Sequence, residues 1–414
     1  MTKPTVLVLM GYDLAAIPVV RWLADDFQVL LVAARNATNQ RHSDAFATAC
    51  AAAAEWRWID ALFDDWQTVE TALTWHRTYG IDHVVCLDEK GLIIAARLRA
   101  LLGVRTGQGV ASAHAYRYKD RMYRAAGQAV AVPRFVVAAS SFEVADAAER
   151  LGLPVVVKPV DGSGSRDTHV LRDSAELLAW LRGRPIRRPE PVLVQRFVDG
   201  DMYHVDGVVA GGRTHGVRVS RYGGSTLGYK DSQALTSTMV DTGGKEFAVL
   251  SEQVARTVAA LPDPADSVFH AEFFLTAAGD AYLCEIAARA GGGAIAPAYA
   301  LSTGVDLFWA HALLQCGLVD EVLAAYDAPG TRGGRYGFLL ENTPAGRLLW
   351  ASSDCELPGV VRCDLLARPG QVYEGPASSA DLLRQFVIEV HDDQDTADLY
   401  RRIDTWCHHN RAVA

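Results

Sequence analysis

Two glutamates lie on what the sequence predicts to be neighbouring strands. Glu272 and Glu285 stand in two short apolar runs that are separated by the turn sequence Ala-Ala-Gly-Asp at 277–280. Such a turn favours a β-hairpin, which brings its two strands side by side. Paired carboxylates are hard oxygen ligands of the kind that Mg²⁺ takes together with phosphate oxygens. Arg289 would then be well placed to bind a transferring phosphoryl group. In the alternative interpretation, this is an edge hairpin with two solvated glutamates.

A lysine followed by a glycine-rich loop lies upstream of this hairpin. The β-branched run Val155–Val157 predicts a buried strand that ends at Lys158, and the sequence Asp-Gly-Ser-Gly-Ser follows at 161–165. Glycine and serine let backbone N–H groups turn toward a phosphate, and the lysine adds a charge for the same anion. The lysine precedes the glycines, so this is not the G-x-x-x-x-G-K-[ST] phosphate loop. The segment is either a plain turn or a phosphate loop, and the acidic hairpin favours the second interpretation.

A third segment predicts two strands joined by a hinge. It reads VLVQRFVDGDMYHVDGVV over 192–209, with Asp-Gly-Asp at 199–201 as the turn. A hinge at Gln195–Val198 can present backbone N–H and C=O groups to an adenine edge, and Gly200 lets the chain turn over a sugar. The alternative is an ordinary β-hairpin.

The order and spacing of these parts resemble the ATP-grasp superfamily over nearly the whole chain. The resemblance adds Lys119, in YRYKDRMYRAAG, as a second lysine for the phosphates. It implies ATP as the nucleotide and Mg²⁺, or Mn²⁺, as the metal. The residues that it implies are Lys119 and Lys158 for the phosphates, Ser163, Gly164 and Ser165 for the closing loop, Gln195, Phe197 and Val198 for adenine, Asp201 for the ribose, Glu272 and Glu285 for the metal, and Arg289 for phosphate and the acyl intermediate.

Two positions depart from the family pattern and point to a subgroup. Gln195 stands where the family more often has Glu, and the sequence Glu-Ile-Ala at 285–287 lacks the Asn of the common E-x-N metal motif. The form E-I-A-A-R is similar to that of carboxylate–amine ligases of the L-amino acid (dipeptide) ligase group. The resemblance therefore implies an ATP-dependent C–N ligase that joins a small carboxylate, such as an amino acid, to an amine through an acyl phosphate and releases ADP and phosphate. Two alternatives stay open: a carboxylase of the biotin or purine carboxylase type, and a catalytically silent ATP-binding regulatory protein.

Histidines on the predicted strands add further candidates. His270 precedes Glu272 by two residues, so strand alternation puts both on one face. His270 is either a catalytic residue that contacts the substrate or intermediate, or a hydrogen-bonded core histidine. His204 and Asp206 alternate in the same way, and we expect a structural pair. By alternation Cys284 should point away from the metal-binding face and into the core.

Composition favours a cytoplasmic enzyme with small-molecule partners. The 414 residues carry a net charge of −9, which provides no basic field for nucleic acid. Seven cysteines without C-x-x-C or zinc spacing indicate reduced thiols. We expect no membrane span, because no apolar run is long enough, and no signal peptide, because Met1–Pro4 leads directly into a strand. A homodimer is compatible with this composition.

Strands and helices alternate over the first hundred residues, which predicts an α/β fold with a parallel sheet and crossover helices. The predicted strands are Thr5–Met10, Gln28–Ala33 and His83–Leu87, and the predicted helices are Ala15–Ala24, Val69–Tyr79 and Leu92–Leu102. Further along, we expect a helix over 112–125, a surface loop over 184–191 and a binding loop or lid over Arg221–Thr238. The predicted domains are an N-terminal α/β (pre-ATP-grasp) domain at 1–115, a small α+β lid at 116–198, a catalytic sheet at 199–325 and a C-terminal α+β domain at 326–414.

Overall fold

The structure, a computed structural model, describes residues 3–34, 44–231, 233–263, 265–328 and 333–414, without the side chains of 187–189. Met1 and Thr2, from the segment predicted to lead into the first strand, lie outside these ranges, as does Ser232 of the predicted binding loop. The fold is α/β, as predicted, with a parallel N-terminal sheet and a large antiparallel sheet. None of the described helices combines the length and the apolar character that crossing a membrane requires.

The N-terminal part alternates strand and helix, as predicted. Its parallel sheet has the order β3-β2-β1-β4. The first helix is shorter than expected because Pro18 has no N–H to contribute inside a helix, and the helix begins only after it. The elements are β1 (Thr5–Met10), α1 (Val19–Leu23), β2 (Gln28–Ala34), α2 (Asp44–Ala52), β3 (Glu55–Ile59), α3 (Trp66–Tyr79), β4 (Ile81–Cys86) and α4 (Leu92–Leu102).

The second part is a small antiparallel sheet, of order β5-β8-β6-β7, with helices before and beside it. The expected loop over 184–191 is wrong from Arg187 onward, because that backbone is drawn into β8 by pairing with β5. The elements are α5 (Val110–Arg117), α6 (Lys119–Ala126), β5 (Phe135–Ser140), α7 (Ser141–Leu151), β6 (Val155–Pro159), β7 (His169–Leu171), α8 (Ser174–Arg182) and β8 (Arg187–Arg196).

The helix expected over 112–125 is broken into α5 and α6. Tyr118 takes an extended conformation, with φ −105° and ψ 114°. The Lys119 N–H then donates to the Val160 carbonyl at 2.8 Å. A tertiary hydrogen bond to the strand-end loop therefore competes with the helix here, and the break places Lys119 at the first position of α6.

The remaining chain builds a long antiparallel sheet of order β13-β12-β9-β10-β11-β14-β18-β16 and a smaller sheet of order β17-β15-β19. Its elements are β9 (Asp201–Ala210), β10 (Arg213–Tyr222), β11 (Leu235–Met239), α9 (Lys245–Ala260), β12 (Ser267–Leu275), β13 (Ala281–Ala287), α10 (Ile295–Thr303), α11 (Leu307–Gln315), α12 (Val319–Tyr326), β14 (Arg335–Asn342), β15 (Ala345–Ala351), β16 (Val360–Leu365), β17 (Val372–Glu374), β18 (Leu382–Val390), α13 (Asp393–His409) and β19 (Arg411–Val413).

Strands from the predicted C-terminal domain continue the sheet that carries the acidic hairpin. β14 pairs with β11, and β18 pairs with β14. The hydrogen-bonded ladder therefore runs across residue 325, where the sequence suggested a boundary, and the fourfold division of the chain stays a prediction.

Candidate active site

The predicted acidic hairpin is present, and its two glutamates are direct neighbours. Glu272 of β12 lies opposite Glu285 of β13. Both carboxylates line a cavity of about 340 Å³ between the small sheet and the long sheet. The register shifts immediately beyond this pair, where Phe273 lies opposite Leu283 and Cys284 is left over as a β-bulge.

The bulge corrects the orientation expected for Cys284. The thiol is buried, as predicted, but alternation fails at the extra residue, so Cys284 lines the same cavity as Glu285. Its Sγ lies 3.8 Å from the Lys158 Nζ. Burial raises the pKa of this thiol to about 12, although the Lys158 charge opposes that shift, so it is protonated at neutral pH.

Two lysines reach the cavity from different elements. Lys119 lies at the start of α6, and its Nζ is 2.8 Å from a Glu285 carboxylate oxygen and 2.6 Å from the Gly162 carbonyl. Lys158 lies on β6 with its Nζ 6.0 Å from the centre of the Tyr123 ring. Burial alone would raise the pKa of Glu285, but the charges of Lys119 and Lys158 lower it well below its usual range. Glu285 is therefore a carboxylate despite its burial.

The glycine-rich loop covers one side of the cavity, and Ser163, Gly164 and Ser165 all line it. Gly164 has φ +60°, a left-handed conformation that favours glycine. Across the opening lies the segment between β10 and β11, whose residues 224–227 line the same cavity. The irregular segment predicted as a binding loop is confined to this part, since Arg221, Tyr222 and the residues from Leu235 onward belong to strands.

The hinge forms the far end of the cavity. Gln195, Phe197 and Val198 line it, and the Val198 N–H has no partner among the described residues, whereas the Phe197 N–H donates to the Pro154 carbonyl. The Gln195 Oε1 lies 3.1 Å from the Tyr123 hydroxyl, which holds the amide in place. An unpaired backbone donor at the cavity wall is what an adenine nitrogen requires.

Asp201 follows the hinge and lines the cavity too, but its carboxylate is already engaged. One oxygen accepts a hydrogen bond from Arg221 at 2.7 Å. Both side chains are more than half exposed, so the pair is open to rearrangement.

Arg289 and His270, the predicted catalytic pair, are not among the residues that line the cavity. The Arg289 Nε lies 2.7 Å from Glu89, which follows β4 in the N-terminal sheet, and the second Glu89 oxygen lies 3.3 Å from Arg117. The Arg289 charge nevertheless contributes to the lowered pKa of Glu285. Arg289 thus lies close enough to Glu285 to act on its charge, at the junction with the N-terminal sheet.

His270 lies behind the other glutamate. Its Nε2 is 3.7 Å from a Glu272 oxygen, and its Nδ1 is 2.8 Å from Asp206. Burial alone would lower the pKa of His270, but the Asp206 charge raises it to about 10, so the ring is an imidazolium at neutral pH. The predicted pair of His204 and Asp206 is also formed, at 2.6 Å.

Several residues of the site were not predicted. The Tyr222 hydroxyl donates to Glu272 at 3.1 Å. Arg117 forms an ion pair with Glu89, and the Tyr123 hydroxyl donates to the Gln195 side chain. Tyr222 lies inside the segment that the sequence predicts to be a binding loop, and that prediction could have identified it as a site residue. Nothing in the sequence singles out Arg117 or Tyr123, because their partners are distant in the chain.

At the edge of the N-terminal sheet, β1 and β4 end side by side. The Gly11 N–H donates to Asp88 at 3.0 Å, and burial raises the pKa of that carboxyl to about 6. Carboxyl ends of parallel strands at such a reversal of strand order commonly bind ligands. Asp88 and Glu89 therefore place the N-terminal sheet edge next to Arg289.

The chain has an ATP-grasp fold, as the sequence predicted. In sequence, it is similar to an L-amino acid ligase. It is 26% identical over 321 residues to the L-arginine-specific L-amino acid ligase of Bacillus subtilis, covering 74% of each chain. No family model matches the sequence.

Solved structures support the fold. The crystal structure of an L-amino acid ligase from Bacillus licheniformis has a TM-score of 0.74 at 18% identity and covers 98% of each chain. Phosphoribosylglycinamide synthetase from Anaerococcus prevotii has a TM-score of 0.67 at 14% identity over the full length of both chains. A biotin carboxylase domain from Hydrogenobacter thermophilus, in complex with MgADP and bicarbonate, has a TM-score of 0.64 at 15% identity and covers 100% of this chain and 91% of its own. ATP and Mg²⁺ are standard for this fold family.

Proposed function

We propose that the protein is an ATP-dependent carboxylate–amine ligase that forms an amide bond through an acyl phosphate and releases ADP and phosphate. One observation carries the proposal: two adjacent carboxylates and two lysines converge on a single cavity that a glycine-rich loop covers. The similarity to a B. subtilis L-amino acid ligase favours an amino acid as the carboxylate substrate.

The residues of the cavity fit MgATP. Glu272 and Glu285 offer oxygen ligands from neighbouring strands, and Glu285 stays ionised. Lys119 and Lys158 would hold the phosphates, with the glycine-rich loop over them. Gln195, Phe197 and Val198 would hold adenine, and Asp201 would bind the ribose after leaving Arg221. When bound, the divalent cation neutralises charge on the β- and γ-phosphates.

The chain's own residues would act chiefly by positioning and by charge. A substrate carboxylate oxygen attacks the γ-phosphorus, and the bond from that phosphorus to the β-phosphate oxygen breaks, so ADP leaves. The amine nitrogen then attacks the acyl carbon, loses a proton, and phosphate departs. Arg289 would stabilise the transferring phosphoryl group and then the acyl oxyanion, and the glycine-rich loop would exclude water from the acyl phosphate.

Hydroxylamine trapping tests the reaction class. With ATP, Mg²⁺ and the proteinogenic L-amino acids, L-arginine first, we expect an amino acid hydroxamate and an equal amount of ADP. Release of AMP and pyrophosphate would contradict transfer of the γ-phosphoryl group. Bicarbonate-dependent ADP release without any hydroxamate would indicate a carboxylase instead, and no nucleotide turnover at all would indicate a silent ATP-binding protein.

We propose the cytoplasm as the site of action. All seven cysteines are free thiols in the structure, consistent with a reducing compartment. A homodimer stays a prediction.

A further inference from the structure

A buried chain of polar side chains runs from β11 to β12 behind the cavity. The Ser237 hydroxyl lies 2.7 Å from the His204 Nε2, and the His204 Nδ1 lies 2.6 Å from one Asp206 oxygen. The other Asp206 oxygen lies 2.8 Å from the His270 Nδ1. All four side chains are at least nine-tenths buried. Because each of these buried polar groups has a partner, the orientation of both imidazole rings is fixed.

The chain ends at a proposed metal ligand. The His270 Nε2 lies 3.7 Å from the Glu272 Oε1, and the Tyr222 hydroxyl donates to the same oxygen at 3.1 Å. Glu272 lines the cavity together with Tyr222, whereas His270, which also contacts its carboxylate, is not among the lining residues. Loss of a neighbour that orients a ligating side chain typically weakens metal binding by about 10–100-fold.

An alternative is that three side chains of this buried chain form a metal site of their own. The ligand atoms of His204, Asp206 and His270 lie within 4.8 Å of one another. The hydrogen-bond geometry opposes it: each Nδ1 is at hydrogen-bond distance from its own Asp206 oxygen, and the His204 Nε2 is at hydrogen-bond distance from the Ser237 hydroxyl. A ring nitrogen that donates its N–H to a carboxylate has no lone pair to offer a metal.

We propose that Ser237, His204 and Asp206 are positioning residues for the metal site. They hold His270, and His270 holds the Glu272 carboxylate in the orientation in which it binds the divalent cation of a nucleotide. This inference rests on the proposed function, because it takes Glu272 as a cation ligand.

Asp206→Asn tests the proposal, since an amide accepts at only one oxygen and one imidazole loses its acceptor. Mn²⁺ binding to the complex of protein and ADP is followed by electron paramagnetic resonance, and ADP binding without metal by calorimetry. We expect Mn²⁺ to bind about 10–100-fold more weakly in the variant. Metal-free ADP affinity should be unchanged, because the cavity that holds adenine and the lysines is intact. Should this variant fail to fold, Ser237→Ala removes only the far end of the chain and should weaken Mn²⁺ binding in the same direction.

The matched control is His311→Asn. His311 is equally buried and accepts a hydrogen bond from the Val268 N–H of the same strand β12 at 3.2 Å, but it is not part of the chain of contacts. Equal loss of Mn²⁺ binding in this control would overturn the inference, as would unaltered binding in Asp206→Asn. Mn²⁺ that binds the wild type without ADP and is lost in Asp206→Asn would overturn it in favour of a metal site at the histidines. A wild type that binds no Mn²⁺ with ADP would instead refute the proposed function.

Discussion

The charge of Glu285 is decided by its two lysine neighbours. A carboxyl this buried would ordinarily hold its proton, but Lys119 makes contact at 2.8 Å and Lys158 adds a second positive charge. A metal ligand must be deprotonated when the metal arrives. The lysines that would hold the phosphates would therefore also keep the proposed metal ligand ionised.

Glu285→Gln keeps the shape of the side chain and removes its charge. We expect Mg²⁺-dependent ADP formation to fall by at least about a hundredfold, the scale of a lost electrostatic contact to a transition state. Nucleotide affinity should fall less, since the hinge and the lysines remain. Steady-state kinetics and equilibrium binding measure the two quantities.

Glu252→Gln is the control, because Glu252 is an exposed residue of α9 that forms an ion pair with Arg256 at 3.8 Å. Its kinetics should match the wild type. Near wild-type turnover in Glu285→Gln would remove Glu285 from the metal site.

The glycine-rich loop is held by elements from two distant parts of the chain. The Gly164 carbonyl accepts from the Ser379 N–H at 3.1 Å, close to β18. From the loop across the cavity, the Tyr229 hydroxyl donates to the Ser165 carbonyl at 3.2 Å and the Lys230 ammonium donates to the Thr168 carbonyl at 2.6 Å. The two loops and the C-terminal strand region together form the cover of the cavity.

Gly164→Val should lower ATP turnover and raise the KM for ATP. The valine would be forced to φ +60°, which costs roughly 1–2 kcal/mol, and the loop would relax away from the phosphates. The matched control is Gly211→Val, which has φ +56° in the β9–β10 turn and open space around it. Both variants should lose similar thermal stability, but Gly211→Val should keep wild-type kinetics. If Gly164→Val also keeps them, residues 161–165 are only a turn.

At the scale of the whole molecule, Glu89 joins the N-terminal sheet to the segment that follows the acidic hairpin. Its two oxygens lie 2.7 Å from Arg289 and 3.3 Å from Arg117, residues that come from two other parts of the chain. Burial would raise the pKa of Glu89, but the charges of Arg289, Lys119 and Arg117 lower it. The junction is therefore an ionised, partly buried cluster beside the cavity.

Glu89→Gln should lower the free energy of unfolding by about 3 kcal/mol, because it removes the carboxylate that pairs with two partly buried arginines. The difference from the wild type should be full above pH 4.5, the ordinary pKa of the carboxyl, and should disappear as the pH falls through the lowered folded pKa. Urea unfolding followed by tryptophan fluorescence measures it. Glu176→Gln, which breaks an exposed pair with Arg172 on the surface, is the control and should cost at most about 0.5 kcal/mol. If both variants lower the free energy of unfolding equally, Glu89 does not stabilise the contact between the N-terminal sheet and Arg289.

Local sequence was sufficient for the acidic hairpin and the N-terminal strands. The turn at 277–280 joins β12 and β13 into the predicted hairpin, and β1 begins and ends where its apolar run does. These features depend on contacts between residues close in the chain, or on burial that a run of apolar residues already indicates.

Local patterns failed where a distant partner decides. The bulge at Cys284 turns the thiol into the cavity although alternation points it away, and the break at Tyr118 depends on the carbonyl of Val160. Residues 187–191 have the composition of a loop, but their backbone belongs to strand β8, which pairs with β5.

The sequence alone was enough to predict the ATP-grasp fold and to propose two acids for the metal and two lysines for the phosphates, because the types and order of these residues along the chain carry that information. Only the tertiary structure decided which side chains act on the two acids: His270, held by Asp206, contacts Glu272, and Arg289, held by Glu89, acts on the charge of Glu285. Those partners come from separate strands and separate sheets, and their pKa values depend on burial and on neighbouring charge. Neither burial nor neighbouring charge exists until the chain has folded.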